Sequence, residues 1–190
     1  MNDDGLTEQQ RKWMASVRAS LPEKTGKSMD QWVEIARTCP ETKPRARQAW
    51  FKAEHGLGQN YFSFVEHELR ARSGENTRDP ETLGSALWSD PGAAEIFRAV
   101  EAAVAELPQV VVGQRKGFTT FSRRYAFAAA RPAKGGVVRL GLALEPGEGA
   151  PAASPNEGWS ERLKSTIALS SRDDVDDGVR HALRAAWEQS

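Results

Sequence analysis

Between Glu106 and Glu145 the chain carries seven basic residues, Arg115, Lys116, Arg123, Arg124, Arg131, Lys134 and Arg139, and no acidic one, although its formal net charge is zero. The same stretch alternates with period two, which specifies strands rather than helices. Val138, Leu140, Leu142 and Leu144 alternate with Val137, Arg139, Gly141 and Ala143, so one face is apolar and the other small. Tyr125, Phe127, Ala129 and Arg131 alternate with Ala126, Ala128 and Ala130 in a second strand, and residues 116–121 make a third. Residues 122–124 and 132–136 are short enough to be hairpin connections, which predicts an antiparallel meander. Residues 165–170 supply a fourth strand.

A pleated face of Ala, Gly, Ser and Thr rimmed by Arg139 and the basic loops admits several readings. A helix or a second subunit packs there and the cations are a solvated rim, or the face and its edge receive an anionic ligand such as nucleic acid.

Upstream the pattern changes to helical. Leu6, Trp13, Met14, Val17 and Leu21 share a face behind a Thr7/Gln10 capping signature, and Pro22 and Gly26 are expected to interrupt that helix. Ser28 with Gln31 repeats the capping signature before Met29, Trp32, Val33 and Ile35. Pro44 opens a third helix, with Ala46, Ala49, Trp50 and Ala53 expected inward and Gly56 as its stop. A fourth covers residues 59–72, with Tyr61, Phe62, Val65 and Leu69 inward, and the glycine-bounded connection before it reads as a plain helical hairpin.

Residues 73–80 are polar and contain Gly and Pro, as a linker does. Beyond them come a short helical turn, a long Ala-rich helix with Ile96, Phe97, Val100, Val104 and Leu107 on its apolar face, the strands, a Gly- and Pro-rich loop or lid at 145–158, a turn from Trp159 to Leu163, and a last helix. That helix is expected to start after Ser171, with Asp174 in the box position, and to bury Val175, Val179, Leu183, Ala186 and Trp187. The expected fold is α+β: a helical domain of about four helices at 1–72, a linker at 73–80, and at 81–190 a domain with an antiparallel four-stranded sheet flanked by helices.

Composition and motifs narrow the function by exclusion. A lone Cys39 permits no internal disulfide and no cysteine-based zinc cluster, no apolar run reaches transmembrane length, and the polar start is unlike a signal peptide, so a cytoplasmic protein without a membrane partner is expected. Gly26-Lys27-Ser28 lacks the first glycine and the preceding strand of a phosphate-binding loop. His55 and His67 have no metal-ligand spacing and read as surface helix residues, and nothing identifies His181 as a base, while Asp173, Asp174, Asp176 and Asp177 lack the loop glycine of a calcium site and read as helix-dipole acids. No catalytic constellation, metal site or cofactor is expected.

Two segments carry a resemblance. TGKSMDQWVEIART followed by AWFKAEHGLG resembles the bacterial family called domain of unknown function 4287, from which the chain departs at Gln59, Asn60 and Phe62. LWSDPGAAEIFRAVEAAV, RKGFTTFSRRYAFAAARP and GWSERLKSTIALSSRDDVD are similar to domain of unknown function 5655. The resemblance implies a small α+β module with an antiparallel sheet. It also implies proximity to nucleic acid, because relatives of the C-terminal module look to be appended to nuclease-like and modification-dependent restriction proteins.

The leading expectation is a non-enzymatic binding protein that offers Arg115, Lys116, Arg123, Arg124, Arg131, Lys134 and Arg139 to nucleic acid or an acidic protein, with Phe118, Phe121 and Tyr125 as stacking platforms where exposed. Two other readings stay open: a small-molecule binder or enzyme with a pocket under the 145–158 loop, and a structural homo-oligomer joined through the small-residue face.

Overall fold

A computed structural model describes residues 6–73, 79–147, 150–154, 158 and 160–190. The chain forms two compact units: Gln9–Thr77, and Arg78–Ser190 together with the start of the chain through Glu8. Most of the expected linker, residues 74–78, lies outside the described residues, as do residues 148–149 and 155–157 of the 145–158 loop and Trp159.

The first unit is helical: α1 (Glu8–Thr25), α2 (Met29–Thr38), α3 (Pro44–His55) and α4 (Gln59–Arg72). Of the two expected interruptions, Pro22 is carried inside helix α1, which ends at Thr25 just before Gly26. The ladder bond that Pro22 cannot donate is offset by two anchors in the last turn. The Thr25 hydroxyl donates to Leu21 O at 2.6 Å, and the Trp32 indole N–H donates to Thr25 Oγ1 at 2.8 Å. Gly26 then turns the chain at φ 70°, and Ser28 and Gln31 close the expected capping box on α2. Leu21, Trp32, Ala36, Phe51, Leu57, Phe62 and Val65 form the core.

Helix α3 buries a different face from the expected one: Phe51 is inward with Arg47 and Trp50 half-buried, whereas Ala49 and Ala53 are exposed. The aromatic rings bury more apolar area than the alanines and set the rotation of the helix.

The second unit opens with α5 (Pro80–Leu87) and α6 (Pro91–Ala105), each with proline in its first turn and an aspartate cap, Asp79 accepting from Thr82 N and Asp90 from Ala93 N. Five strands follow rather than four: β1 (Val111–Gln114), β2 (Thr119–Ser122), β3 (Ala126–Pro132), β4 (Val138–Leu142) and β5 (Ser165–Leu169). They form an antiparallel sheet in the order β1-β2-β3-β4-β5. The extra strand is β1, whose Val110-Val111-Val112 run does not alternate and so gives no period-two signal.

Cross-strand register sorts the side chains. Phe121, Ala128 and Leu142 form one row, and Thr119, Ala130, Leu140 and Ile167 the next, facing the core built with α6 and the last helix. The register shift between Phe121 and Ser122 leaves one extra residue on β3, and Phe127 joins the same core as Ala128 and Ala130 instead of sharing a face with Ala129. The other face carries the row Gly113, Thr120, Ala129, Gly141 and Thr166, flanked by Arg131 opposite Arg139. The centre of that small-residue face is buried, with Ala129 0% and Thr166 3% exposed, whereas Gly113 and Thr120 toward β1 are half-buried.

The described part of the 145–158 loop is not a detached lid. Thr166 N donates to Pro151 O and Ala153 N to Lys164 O, each at 2.8 Å, which ties the segment to the edge of β5. The Ser171/Asp174 box also forms, but it caps only a 3-10 turn, Arg172–Asp174. The last helix, α7 (Asp177–Glu188), has its own cap in Asp176, which accepts from Val179 N. It buries Val179, Leu183 and Ala186, with Val175 buried just ahead of it and Trp187 half-buried.

Candidate functional site

Antiparallel topology divides the seven basic residues between the two ends of the sheet. The β1–β2 and β3–β4 turns fall at one end, which gathers Arg115, Lys116, Arg131, Lys134 and Arg139. The β2–β3 turn, with Arg123 and Arg124, falls at the other, roughly 20 Å away along strands of this length. The basic run in sequence is therefore not one stripe in space.

At the five-cation end the turns are well closed. Arg115 N donates to Phe118 O at 2.9 Å and Gln114 Nε2 to Arg115 O at 2.7 Å. Ala133 N donates to Val137 O at 2.7 Å around Gly135 and Gly136, both in the left-handed region at φ 80° and 73°, a conformation that side-chain-bearing residues rarely take. Arg115, Lys116 and Lys134 stand exposed on these turns, and no ion pair among the described residues engages them. Arg131 and Arg139 are half-buried and already hold interactions of their own.

At the opposite end Arg123 lies over the Trp187 ring, 4.2 Å from its centroid, and Arg162 over Tyr125 at the same distance. Arg124 is exposed. Of the three aromatics considered as stacking platforms, Phe121 is fully buried, Phe118 half-buried and Tyr125 38% exposed, and Tyr125 lies away from the five-cation end.

A second feature of this unit lies between the C-terminal half of α6 and the β1–β2 hairpin. It is a cavity of about 430 Å³ walled by Val104, Leu107, Val110, Val112 and Phe121, with Glu101 and Gln109 as its polar lining. Glu101 is exposed at the rim, where the partial desolvation of its carboxyl by the neighbouring walls raises its pKa and the charge of Arg98 opposes the rise. Gln109 sits at φ 57°, the only side-chain-bearing residue with positive φ among the described residues. The sequence held half of this signal: Glu101 precedes Val104 and Ala105 by three and four positions, on the same helical face. The left-handed Gln109 was not legible, because nothing in its side chain favours that conformation.

In the helical unit, Lys27 Nζ lies 5.3 Å from the Trp32 ring centroid, which with the Gly26 turn and the Ser28 cap gives Gly26-Lys27-Ser28 a structural role. His55 is not a surface residue. Its ring packs 4.9 Å from Trp50 and 5.7 Å from Trp32, and its Nε2 is buried without a hydrogen-bond partner. His67 is exposed as expected, and His181 is exposed too. Among the described residues no cluster of His, Cys, Asp or Glu could hold a metal ion, and no helix is long and apolar enough to cross a membrane.

Family models match the chain twice: Domain of unknown function (DUF4287) at residues 13–71 and Domain of unknown function (DUF5655) at residues 85–190. The first match covers α2, α3, α4 and most of α1, and the second contains the whole sheet, α6 and α7. No curated protein and no solved structure matches the chain.

Proposed function

We propose that this chain, which belongs to the DUF5655 family through residues 85–190 and carries a DUF4287 match at residues 13–71, is a non-enzymatic binding protein that holds nucleic acid at the five-cation end of its sheet. The observation that carries this reading is the register of the antiparallel strands. It brings Arg115, Lys116, Arg131, Lys134 and Arg139, separated by up to a hairpin in sequence, to one end of one rigid sheet. Backbone phosphates are recognised by just such clustered cations, and binding of this kind carries no demand for a catalytic group. Arg115, Lys116 and Lys134 make the phosphate contacts, while Arg131 and Arg139 raise the local potential from within the scaffold.

The competing homo-oligomer reading loses support because the centre of the small-residue face is already buried within one chain. The reading of a pocket under the 145–158 loop loses support because the described part of that loop is bonded to the edge of β5.

The test is fluorescence polarisation of labelled single- and double-stranded DNA and RNA across a salt titration. With about four phosphates neutralised, affinity falls on the order of a hundredfold between about 50 and about 200 mM salt. The Arg115→Glu/Lys116→Glu/Lys134→Glu variant loses most of the binding, and Arg123→Glu/Arg124→Glu at the far end keeps most of it. The reverse ranking, or salt-independent binding, would sink the proposal.

A further inference from the structure

The cavity between α6 and the β1–β2 hairpin lies outside the five-cation end. We propose that it binds a small organic cation, whose apolar body packs among Val104, Val110, Val112 and Phe121 and whose ammonium group meets the Glu101 carboxylate. Three observations converge on this assignment.

The volume, about 430 Å³, falls within the range of small-molecule sites, and the walls are apolar apart from a few polar groups that can fix orientation. The charge at the rim has one sign. Glu101 has no hydrogen bond or ion pair among the described residues, and Arg98, one turn back on α6, acts on it only through space. Nearby Glu106 is by contrast satisfied by Arg180 at 2.7 Å. An exposed carboxylate at the rim of an apolar cavity, without a hydrogen-bond or ion-pair partner among the described residues, favours a ligand that brings the opposite charge and disfavours an anion.

The third observation is the backbone. The turn from α6 into β1 holds Gln109 at φ 57° against the cavity, a conformation unfavourable for a residue other than Gly, Asn or Asp. Strain of that kind persists where the surrounding structure fixes it, and here it sets the mouth of the cavity. Glu101 and Ala105 come from the helix, Gln109 and Val110 from the turn, and Val112 and Phe121 from paired residues of β1 and β2, so the cavity is built from rigid elements on two sides.

Three probes of similar shape and different charge decide the matter on the unaltered full chain: 2-phenylethylammonium, 2-phenylethanol and 3-phenylpropionate, each titrated while backbone amide shifts are followed by NMR. The cation is expected to bind at roughly 1 mM, as befits so small a molecule, with shifts concentrated at residues 101–112 and 121. The alcohol binds about fivefold more weakly and the anion more weakly again. Glu101→Gln, a rim substitution that keeps the side-chain shape, abolishes the preference for the cation while leaving the alcohol unchanged. Ala105→Phe, at an exposed lining position, fills the cavity and weakens every probe. Equal affinity for the three probes, shifts elsewhere in the chain, or a cation preference that survives Glu101→Gln would each overturn the proposal.

Discussion

Arg47 is the residue on which the helical unit converges. Its guanidinium donates to Glu66 Oε1 through Nε at 3.0 Å and Nη2 at 2.6 Å, to Ala36 O at 2.9 Å and to Glu41 O at 3.0 Å. One side chain thus ties the end of α2, the segment after it and α4 to α3. The Arg47 and Glu66 side chains are only 14% and 10% exposed, so removing Arg47 leaves the Glu66 carboxylate, away from water, with only Arg70 at 3.6 Å. Arg47→Ala is expected to cost about 3 kcal/mol in chemical denaturation, while the double replacement Arg47→Met/Glu66→Met comes close to neutral because both desolvation penalties disappear together. A double replacement as damaging as the single one would mean that the carbonyl contacts, not the ion pair, do the holding. Nothing in the sequence marked Arg47, which stands two positions after the exposed Arg45 as one more basic residue in a helix, or Glu66, since a buried charge becomes visible only when its partner is located.

At the scale of elements, what was legible followed from regular periods and local caps. Helix α6 shows its apolar stripe at Ile96, Phe97, Val100 and Val104, and β4 alternates Val138, Leu140 and Leu142 with Arg139 and Gly141, so both could be placed from sequence. The misses lie where the period is broken by something non-local. Strand β1 is a short edge strand whose valines run without alternation, and the extra residue on β3 moves Phe127 onto the face that alternation denied it.

The Ser171/Asp174 box was legible too, yet it serves a single turn rather than α7. Its chemistry gives a signed prediction. The backbone N–H of Ser170 first, then the hydroxyl and N–H of Ser171, bond the Asp174 carboxylate and lower its pKa from 3.8. A carboxyl whose folded pKa is depressed contributes stability above its unfolded value and loses it as pH falls through the folded one. Asp174→Ala should therefore lower the melting temperature at pH 7, and the gap to the parent should close as pH drops below about 3.8. Glu101 has the opposite sign: its pKa is raised from 4.5 by burial, so its contribution is complete below about 4.5 and fades as pH rises through the folded value. Melting curves for Asp174→Ala and Glu101→Gln across pH should diverge in opposite directions from the parent, and parallel curves would refute the assignment of cause.

At the scale of the whole molecule, the chain supports two separate hydrophobic cores, one around Trp32, Phe51 and Val65 and one around Val100, Phe127, Leu140 and Leu183, with no residue common to both. The sequence places a linker at residues 73–80, which are polar between two periodic regions. The grouping of residues 6–8 with the C-terminal unit was not legible, since it depends on where the chain start is placed and not on its composition.

All seven basic residues and the whole lining of the α6 cavity belong to the C-terminal unit. Both proposed binding activities should then travel with residues 79–190 expressed alone. That fragment is large enough to close a core of its own, and its salt-dependent affinity for nucleic acid should stay within about threefold of the full chain, a difference well under one kcal/mol. It should melt below the corresponding transition of the full chain, because it lacks residues 6–8, among which Thr7 is 1% exposed. Residues 9–73 alone should fold as helices and leave the labelled DNA unbound. Were the helical fragment to bind instead, the cations that matter would be those of the DUF4287 region, and the register of the sheet would have no bearing on recognition.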